Sequence, residues 1–295
     1  MWGSKCFQNM LPWLRQPFRD STAIYCGFGN SDLYSGISYY KAFEKGQCIS
    51  MLPKFLRKFA YHSLWRFGYE IVKLPRLLSL EAALNRVAAN PTPLDVRTVI
   101  DVGASDGRWS AKVMPFYPQA FYFLIEAQSV HEEALRAFKQ AHQNVDYILA
   151  AAGDTVGDVY FDNSMPFSGA AFHEAVNPDL VKMPSTTIDE QVRKLNLQPP
   201  YLLKLDTHGF EVPILTGASQ TLKQTNMIII ETYNFKINNQ TALRFPEMTS
   251  WLEDKGFRVA DLIEPLYRPI DRLLWQFDLL LLPATRPEFA LNSYT

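Results

Sequence analysis

Apolar residues change their spacing along this chain. From Leu52 to about Ala89 they recur at three- and four-residue steps: Leu56, Phe59 and Ala60, then Leu64, Phe67, Ile71 and Leu74. That is the period of one helix face. Pro75 breaks the run, and Leu77 to Val87 resumes it. Before it, residues 1–50 are rich in aromatics, Gly and Ser with weak periodicity and read as an irregular arm with short helices. Asn90-Pro-Thr-Pro93 marks a boundary, giving an arm and helical cap over 1–90 and a body over 91–295.

In the body, short apolar runs alternate with helical text. Strands are expected at Thr98–Val102, Ala120–Ile125, Val145–Ala150, Tyr201–Leu205, Met227–Ile230, Phe257–Leu262 and Gln276–Leu282, with a short extra strand at Asp158–Asp162. Helices are expected at Arg108 to about Phe116, Val130–His142, around Val192 and Leu195, at Val212–Leu222 and at Phe245–Lys255. Residues Asn163–Asp179 read as an ordered loop, polar and punctuated by Gly and Pro. Strand alternating with helix predicts an α/β sandwich on a mainly parallel sheet, with ligands beyond the carboxyl ends of its strands.

Length and charge refine this picture. A chain of 295 residues buries a full core with room for an extension. The net charge of -1 hides a split: twelve Lys and Arg against six Asp and Glu in residues 1–95, seventeen against twenty-four in the rest. Arg57, Lys58, Arg66, Lys73 and Arg76 make one side of the helical stretch basic. This suits a cap on the body, a homodimer arm or, as the alternative, a membrane-surface helix, and is too little charge to imply a nucleic-acid partner. Cys6, Cys26 and Cys48 form no CxxC pair, which fits a reducing cytoplasm. No secretory leader and no transmembrane segment are expected.

The stretch with the clearest chemistry is Val99–Ser110, VIDVGASDGRWS. Apolar residues suited to a strand run into a turn containing Gly103 and Gly107, and the amides opening the next helix suit a polar or anionic ligand. Glu126, at the tip of the following strand-like run, is well placed to bond both hydroxyls of a ribose held against the turn. Together they point to a nucleoside-bearing ligand. The spacing Gly103-Ala-Ser-Asp-Gly107 is wrong for the G-x-G-x-x-G of nicotinamide cofactors.

These pieces, with AAGDTVGDVYF, STTIDE, YLLKLDTHGFEVPILTGA and MIIIETY, resemble the FkbM-type family of class I S-adenosylmethionine-dependent O-methyltransferases over about Arg97–Leu282. The resemblance implies a Rossmann-like seven-stranded sandwich whose last strand runs antiparallel between the fifth and sixth. It also implies S-adenosylmethionine as donor, and a hydroxyl of a small-molecule or saccharide acceptor. The chain departs from the family pattern Asp-Val-Glu-Gly-x-Glu at one place, reading Asp206-Thr207-His208-Gly209-Phe210-Glu211. N-methylation and a non-catalytic binding module are the alternatives.

Within that reading Asp101, Gly103, Ala104, Ser105, Asp106, Gly107 and Glu126 are the candidate donor residues, with Asp106 equally suited to capping the helix at Arg108. Asp206 and His208 end the fourth core strand and Glu231 the apolar strand beside it, making them the candidate catalytic set, with His208 as base. All three residue types also ligate metals, but their spacing imposes no such geometry, and no metal is expected. His173 would reach the acceptor if its loop folds over the site, His131 reads as a residue near a helix start, and Glu211 as a favourable charge at another.

Overall fold

The computed structural model describes residues 25–26, 69–70, 77–167, 169–237 and 242–294. The chain divides into two compact units, Met1–Leu77 and Leu78–Thr295. In the first, β1 (Tyr25–Cys26) pairs antiparallel with β2 (Tyr69–Glu70). The basic helical stretch before Leu77 and the dimer contact expected of it lie outside the described residues. The second unit begins earlier than the expected boundary at residue 91. Its first helix, α1 (Leu80–Ala88), is capped by Ser79 and buries Leu80, Ala83 and Leu84.

The second unit is built on seven strands. They are β3 (Thr98–Val102), β4 (Phe121–Glu126), β5 (Val145–Leu149), β10 (Tyr201–Leu205), β11 (Thr225–Tyr233), β12 (Phe257–Tyr267) and β13 (Leu274–Pro283), in the order β12-β13-β11-β10-β3-β4-β5. Strands β5, β4, β3, β10 and β11 run parallel. β13 pairs antiparallel with both β11 and β12, so it lies reversed between them, as the resemblance implied.

Every residue of β3 and β10 is buried, the mark of strands covered on both faces. One face presents Ile100, Val102, Leu203, Leu205, Ile228 and Ile230 to one apolar cluster. The other presents Val99, Leu124, Leu202, Ile229 and Leu280, which pack with α1 residues Leu80 and Leu84. Successive side chains alternate between faces, so Asp101 and Lys204 share the second face with Val99 and Leu202. Both are charges inside an apolar layer.

The connecting helices α2 (Arg108–Val113), α3 (Glu132–Ala141), α4 (Ile188–Leu195), α5 (Glu211–Thr216) and α6 (Phe245–Asp254) fall where periodicity put them, with α2 and α5 shorter than expected. α5 stops at Gly217, where an added Cβ would stand 2.1 Å from the Gly153 carbonyl oxygen. The larger departure is a second sheet between β5 and α4. It comprises β6 (Ala151–Ala152), β7 (Gly157–Asp162), β8 (Ala170–Phe172) and β9 (Val181–Thr186), in the order β6-β9-β7-β8. β8 lies inside the segment expected to be a loop, and β9 precedes α4 where no strand was expected. β8 is three residues long and β9 contains Pro184, so neither gives a strong alternating signal. No helix among the described residues is long and apolar enough to cross a membrane.

Candidate active site

A cavity of about 290 Å³ opens at the carboxyl ends of β3, β4 and β10. Its floor is the turn after β3. The Gly103 and Ala104 amides both donate to the Ile125 carbonyl, at 3.0 and 3.3 Å, drawing the turn against β4. Gly103 has φ +72°, and a Cβ there would come 2.1 Å from the Asp206 carbonyl oxygen. The turn therefore needs glycine for both its backbone angle and the approach of β10. Gly103→Ala is expected to destabilise the fold by about 1–3 kcal/mol, read as a lower urea midpoint with an unchanged slope.

Glu126 ends β4 as expected. One carboxylate oxygen accepts the Ser105 amide at 2.7 Å and the other the Gln128 amide at 2.7 Å. The acid thus clamps the glycine turn to the loop after β4 while facing the cavity. Gly103, Ala104 and Ser105 line the cavity beside it. Asp101, Asp106 and Gly107 are not among the lining residues. Asp101 lies beneath the floor, fully buried, where Ser110 Oγ donates to it at 2.7 Å. Asp106 accepts the amide of Arg108, the first residue of α2, at 3.2 Å and pairs with the Arg108 guanidinium at 2.5 Å. Gly107, at φ +82°, gives way to the Phe138 ring, which a Cβ would meet at 2.9 Å.

The outer wall is the segment before β8. The buried His131 donates from Nε2 to the Pro166 carbonyl at 2.6 Å, and Gln128 Nε2 donates to the Met165 carbonyl at 3.2 Å. Phe167 packs on the His131 ring and under the Arg108 guanidinium. His131 thus does more than stand near a helix start: it pins this wall. His173 does not line the cavity; its ring packs on Phe210, with Nε2 3.8 Å from Asp154.

Lys204 is one of four residues here that the sequence did not single out. It is the charged residue of the otherwise apolar strand YLLKL, which was the available signal. Its Nζ donates to the Gly103 carbonyl at 2.8 Å and stands 3.1 Å from Asp101 and 3.4 Å from Asp206. Burial opposes its charge, but Asp101 and Asp206 outweigh burial and hold its pKa above the ordinary lysine value. Asp206 is held below the usual carboxylate range: burial would raise it, but Lys204 and then His208 prevail.

The candidate catalytic side chains do converge. Oxygen or nitrogen atoms of Asp206, His208 and Glu231 lie within 4.8 Å of one another. His208 sits in a turn with φ +51°, followed by Gly209 at φ +102°. Glu211 braces that turn, accepting from the Gly209 amide at 2.9 Å and Thr207 Oγ1 at 3.1 Å; burial pushes its carboxyl pKa up. Left-handed backbone at a non-glycine residue costs energy that local contacts must offset. It delivers the imidazole to the cavity rim.

His208 Nδ1 lies 2.8 Å from Tyr233 Oη and 3.2 Å from a Glu231 oxygen. Tyr233 donates its hydroxyl hydrogen to that same oxygen, and Gln276 Nε2 donates to the other. Burial would lower the His208 pKa, but Glu231, then Asp206 and Glu211, raise it to about 9. The resting imidazole is therefore protonated at neutral pH, whereas the ordinary histidine pKa would leave it mostly neutral. Asp278, opposite Glu231 on β13, is pushed up to about 8 by burial and by Asp206 and Glu231. Tyr233, Gln276 and Asp278 were likewise passed over. Tyr233 is two residues beyond Glu231 and so on the same strand face, which was the available signal.

The donor set suits two kinds of group. Two carboxylates and an imidazole match a divalent cation by residue type, but His208 Nδ1 is already engaged by Tyr233 and Glu231. The glycine turn and Glu126 suit a nucleoside with a free ribose, and two cavity-lining polar atoms, Ser105 Oγ and Trp109 Nε1, are buried without a hydrogen-bond partner among the described residues. Open donors beside a Cβ-intolerant turn fit a polar ligand better than packed side chains.

A family model described as the methyltransferase FkbM domain matches residues 101–259. Among solved structures, methyltransferase FkbM from Methylobacillus flagellatus KT is similar at 15% identity and a TM-score of 0.45, over 74% of this chain and 49% of that one. The chain thus spans about half the length of that relative. The precorrin-6y C5,15-methyltransferase of Geobacter metallireducens GS-15 is similar at 11% identity and a TM-score of 0.39, over 68% and 85% of the two chains. Aeropyrum pernix fibrillarin, solved with natively bound S-adenosyl-L-methionine, is similar at 13% identity and a TM-score of 0.40, over 72% and 79%. No curated protein sequence matches significantly.

Proposed function

We propose, for a chain that belongs to the FkbM methyltransferase family, transfer of a methyl group from S-adenosylmethionine to a hydroxyl of a small-molecule or saccharide acceptor. The carrying observation is the cavity itself, whose lining joins the ribose-ready Glu126 to Asp206 and His208, with Glu231 3.2 Å from His208 Nδ1. When bound, S-adenosylmethionine supplies a methyl group on a sulfonium, whose transfer to oxygen breaks the sulfur–carbon bond and leaves a neutral thioether. The protein's part is to hold the donor, align the acceptor, exclude water and take the acceptor's proton.

Holding falls to Glu126, the backbone of Gly103–Ser105, and Ser105 Oγ with Trp109 Nε1. Asp101 and Lys204 support the turn from beneath. Proton removal falls to His208 through Nε2, which has no hydrogen bond among the described residues. With its pKa at about 9, the base is neutral in roughly one molecule in a hundred at pH 7. It is a strong base sparsely available, and turnover should rise with pH toward 9. Glu231 and Asp206 balance the imidazolium after transfer.

The test is transfer of an isotope-labelled methyl group from S-adenosylmethionine to a panel of polyhydroxyl, phenolic and amine acceptors. Fragmentation mass spectrometry then locates the label. Label on oxygen is the expected result. Label on nitrogen replaces the acceptor class, and no transfer to any class favours a binding module.

A further inference from the structure

Tyr233 stands apart from the residues that hold donor or acceptor. It ends β11 and is 5% exposed, and its hydroxyl lies between two members of the candidate catalytic group. The hydroxyl has one hydrogen, and that hydrogen goes to Glu231. Facing His208 Nδ1 at 2.8 Å, the oxygen can then only accept. Nδ1 must carry a hydrogen in this arrangement, whether the ring is charged or neutral. The Trp275 ring packs against Tyr233 at 5.8 Å, edge to face, and limits the phenol's freedom to swing away.

We propose that Tyr233 is a positioning residue that fixes the His208 tautomer, keeping hydrogen on Nδ1 and leaving Nε2 as the lone-pair nitrogen toward the cavity. This rests on the reading of His208 as proton acceptor. The charged groups facing the imidazole are Glu231 from β11, Asp206 from the end of β10 and Glu211 from α5. All three favour the imidazolium, and of them Glu231 faces Nδ1, at 3.2 Å. Tyr233 is nearer, at 2.8 Å, and can only accept from Nδ1 because its own hydrogen is committed to that same Glu231 oxygen. Burial and Glu231 push the phenol pKa far up, so the hydroxyl keeps that hydrogen across the working range. Gln276, donating to the other Glu231 oxygen, holds the carboxylate in the orientation that receives the phenol.

The experiment is nitrogen-15 NMR of histidine-labelled full-length protein, read above the His208 pKa, with steady-state kinetics of Tyr233→Phe. The wild-type neutral ring is expected to show a protonated Nδ1 and an unprotonated Nε2. Tyr233→Phe is expected to mix the two tautomers and to lower kcat about ten-fold or more, with KM for S-adenosylmethionine unchanged within about two-fold. A wild-type ring protonated on Nε2 would overturn the proposal without any variant being made. So would Tyr233→Phe retaining the wild-type tautomer, whatever its rate. Failure of the His208 reading is seen separately: His208→Gln would keep normal turnover while the wild-type tautomer measurement stood unaffected.

Discussion

Lys204→Met is expected to destabilise the folded chain by about 3–5 kcal/mol, the usual cost of stranding a buried charge. Asp101 is fully buried, and its charge is opposed by Lys204 at 3.1 Å and by one hydroxyl, Ser110. Methionine matches the lysine stem in size, so the loss is electrostatic rather than a cavity. The same change removes the hydrogen bond to the Gly103 carbonyl, loosening the turn that floors the cavity. Urea denaturation should show a fall in midpoint. Asp101→Asn together with Lys204→Met should recover a large part of it, since the second change removes the stranded charge. Lys204→Met within about 1 kcal/mol of wild type would show that the pair contributes little.

His208→Gln is expected to lower turnover about 100-fold or more while leaving donor affinity nearly intact. Glutamine keeps a polar side chain at the rim but offers no basic nitrogen. The sign of the pH effect follows from the raised pKa: the base works when neutral, so activity rises as pH climbs through about 9. His208→Gln should abolish this rise. Normal chemistry with the same limb in the variant would transfer proton removal to Asp206 or Glu231, or leave alignment alone to suffice.

How far the sequence carried these conclusions differs between the sheet and the site. β3 and β10 match their expected ranges because mostly apolar runs between turn signals have few other uses, even with Asp101 and Lys204 within them. β11 and β12 extend beyond their apolar centres, at Glu231–Tyr233 and at Ile263–Tyr267, where polar and charged residues end the apolar pattern but pairing with β13 continues. Of the second sheet only β7 was legible, as the short strand expected at Asp158–Asp162; β6 and β8 are two and three residues long and owe their form to tertiary pairing.

At the site, the placement of Glu126 beside the glycine turn was readable because both follow the carboxyl ends of neighbouring strands in one strand-helix-strand unit. The convergence of Asp206, His208 and Glu231 was readable only in outline, from their places at neighbouring strand tips. The ionisation of His208 was not readable at all. Its raised pKa comes from Glu231, Asp206 and Glu211 on three different elements. Lys204 and Tyr233 act through partners distant in sequence or through a shared hydrogen, which no local pattern displays.

The most direct measurement is calorimetric titration of the full-length protein and of Glu126→Ala with S-adenosylmethionine and with its demethylated product. Both ligands should bind the wild type at a single site. Glu126→Ala, shown to be folded, should bind each about 10- to 100-fold more weakly, matching about 1.5–3 kcal/mol for lost bonds to a charged group. Loss of the clamp on the Ser105 amide acts in the same direction. No binding by the wild type, or equal affinity in the folded variant, would contradict the assignment of this cavity to the methyl donor.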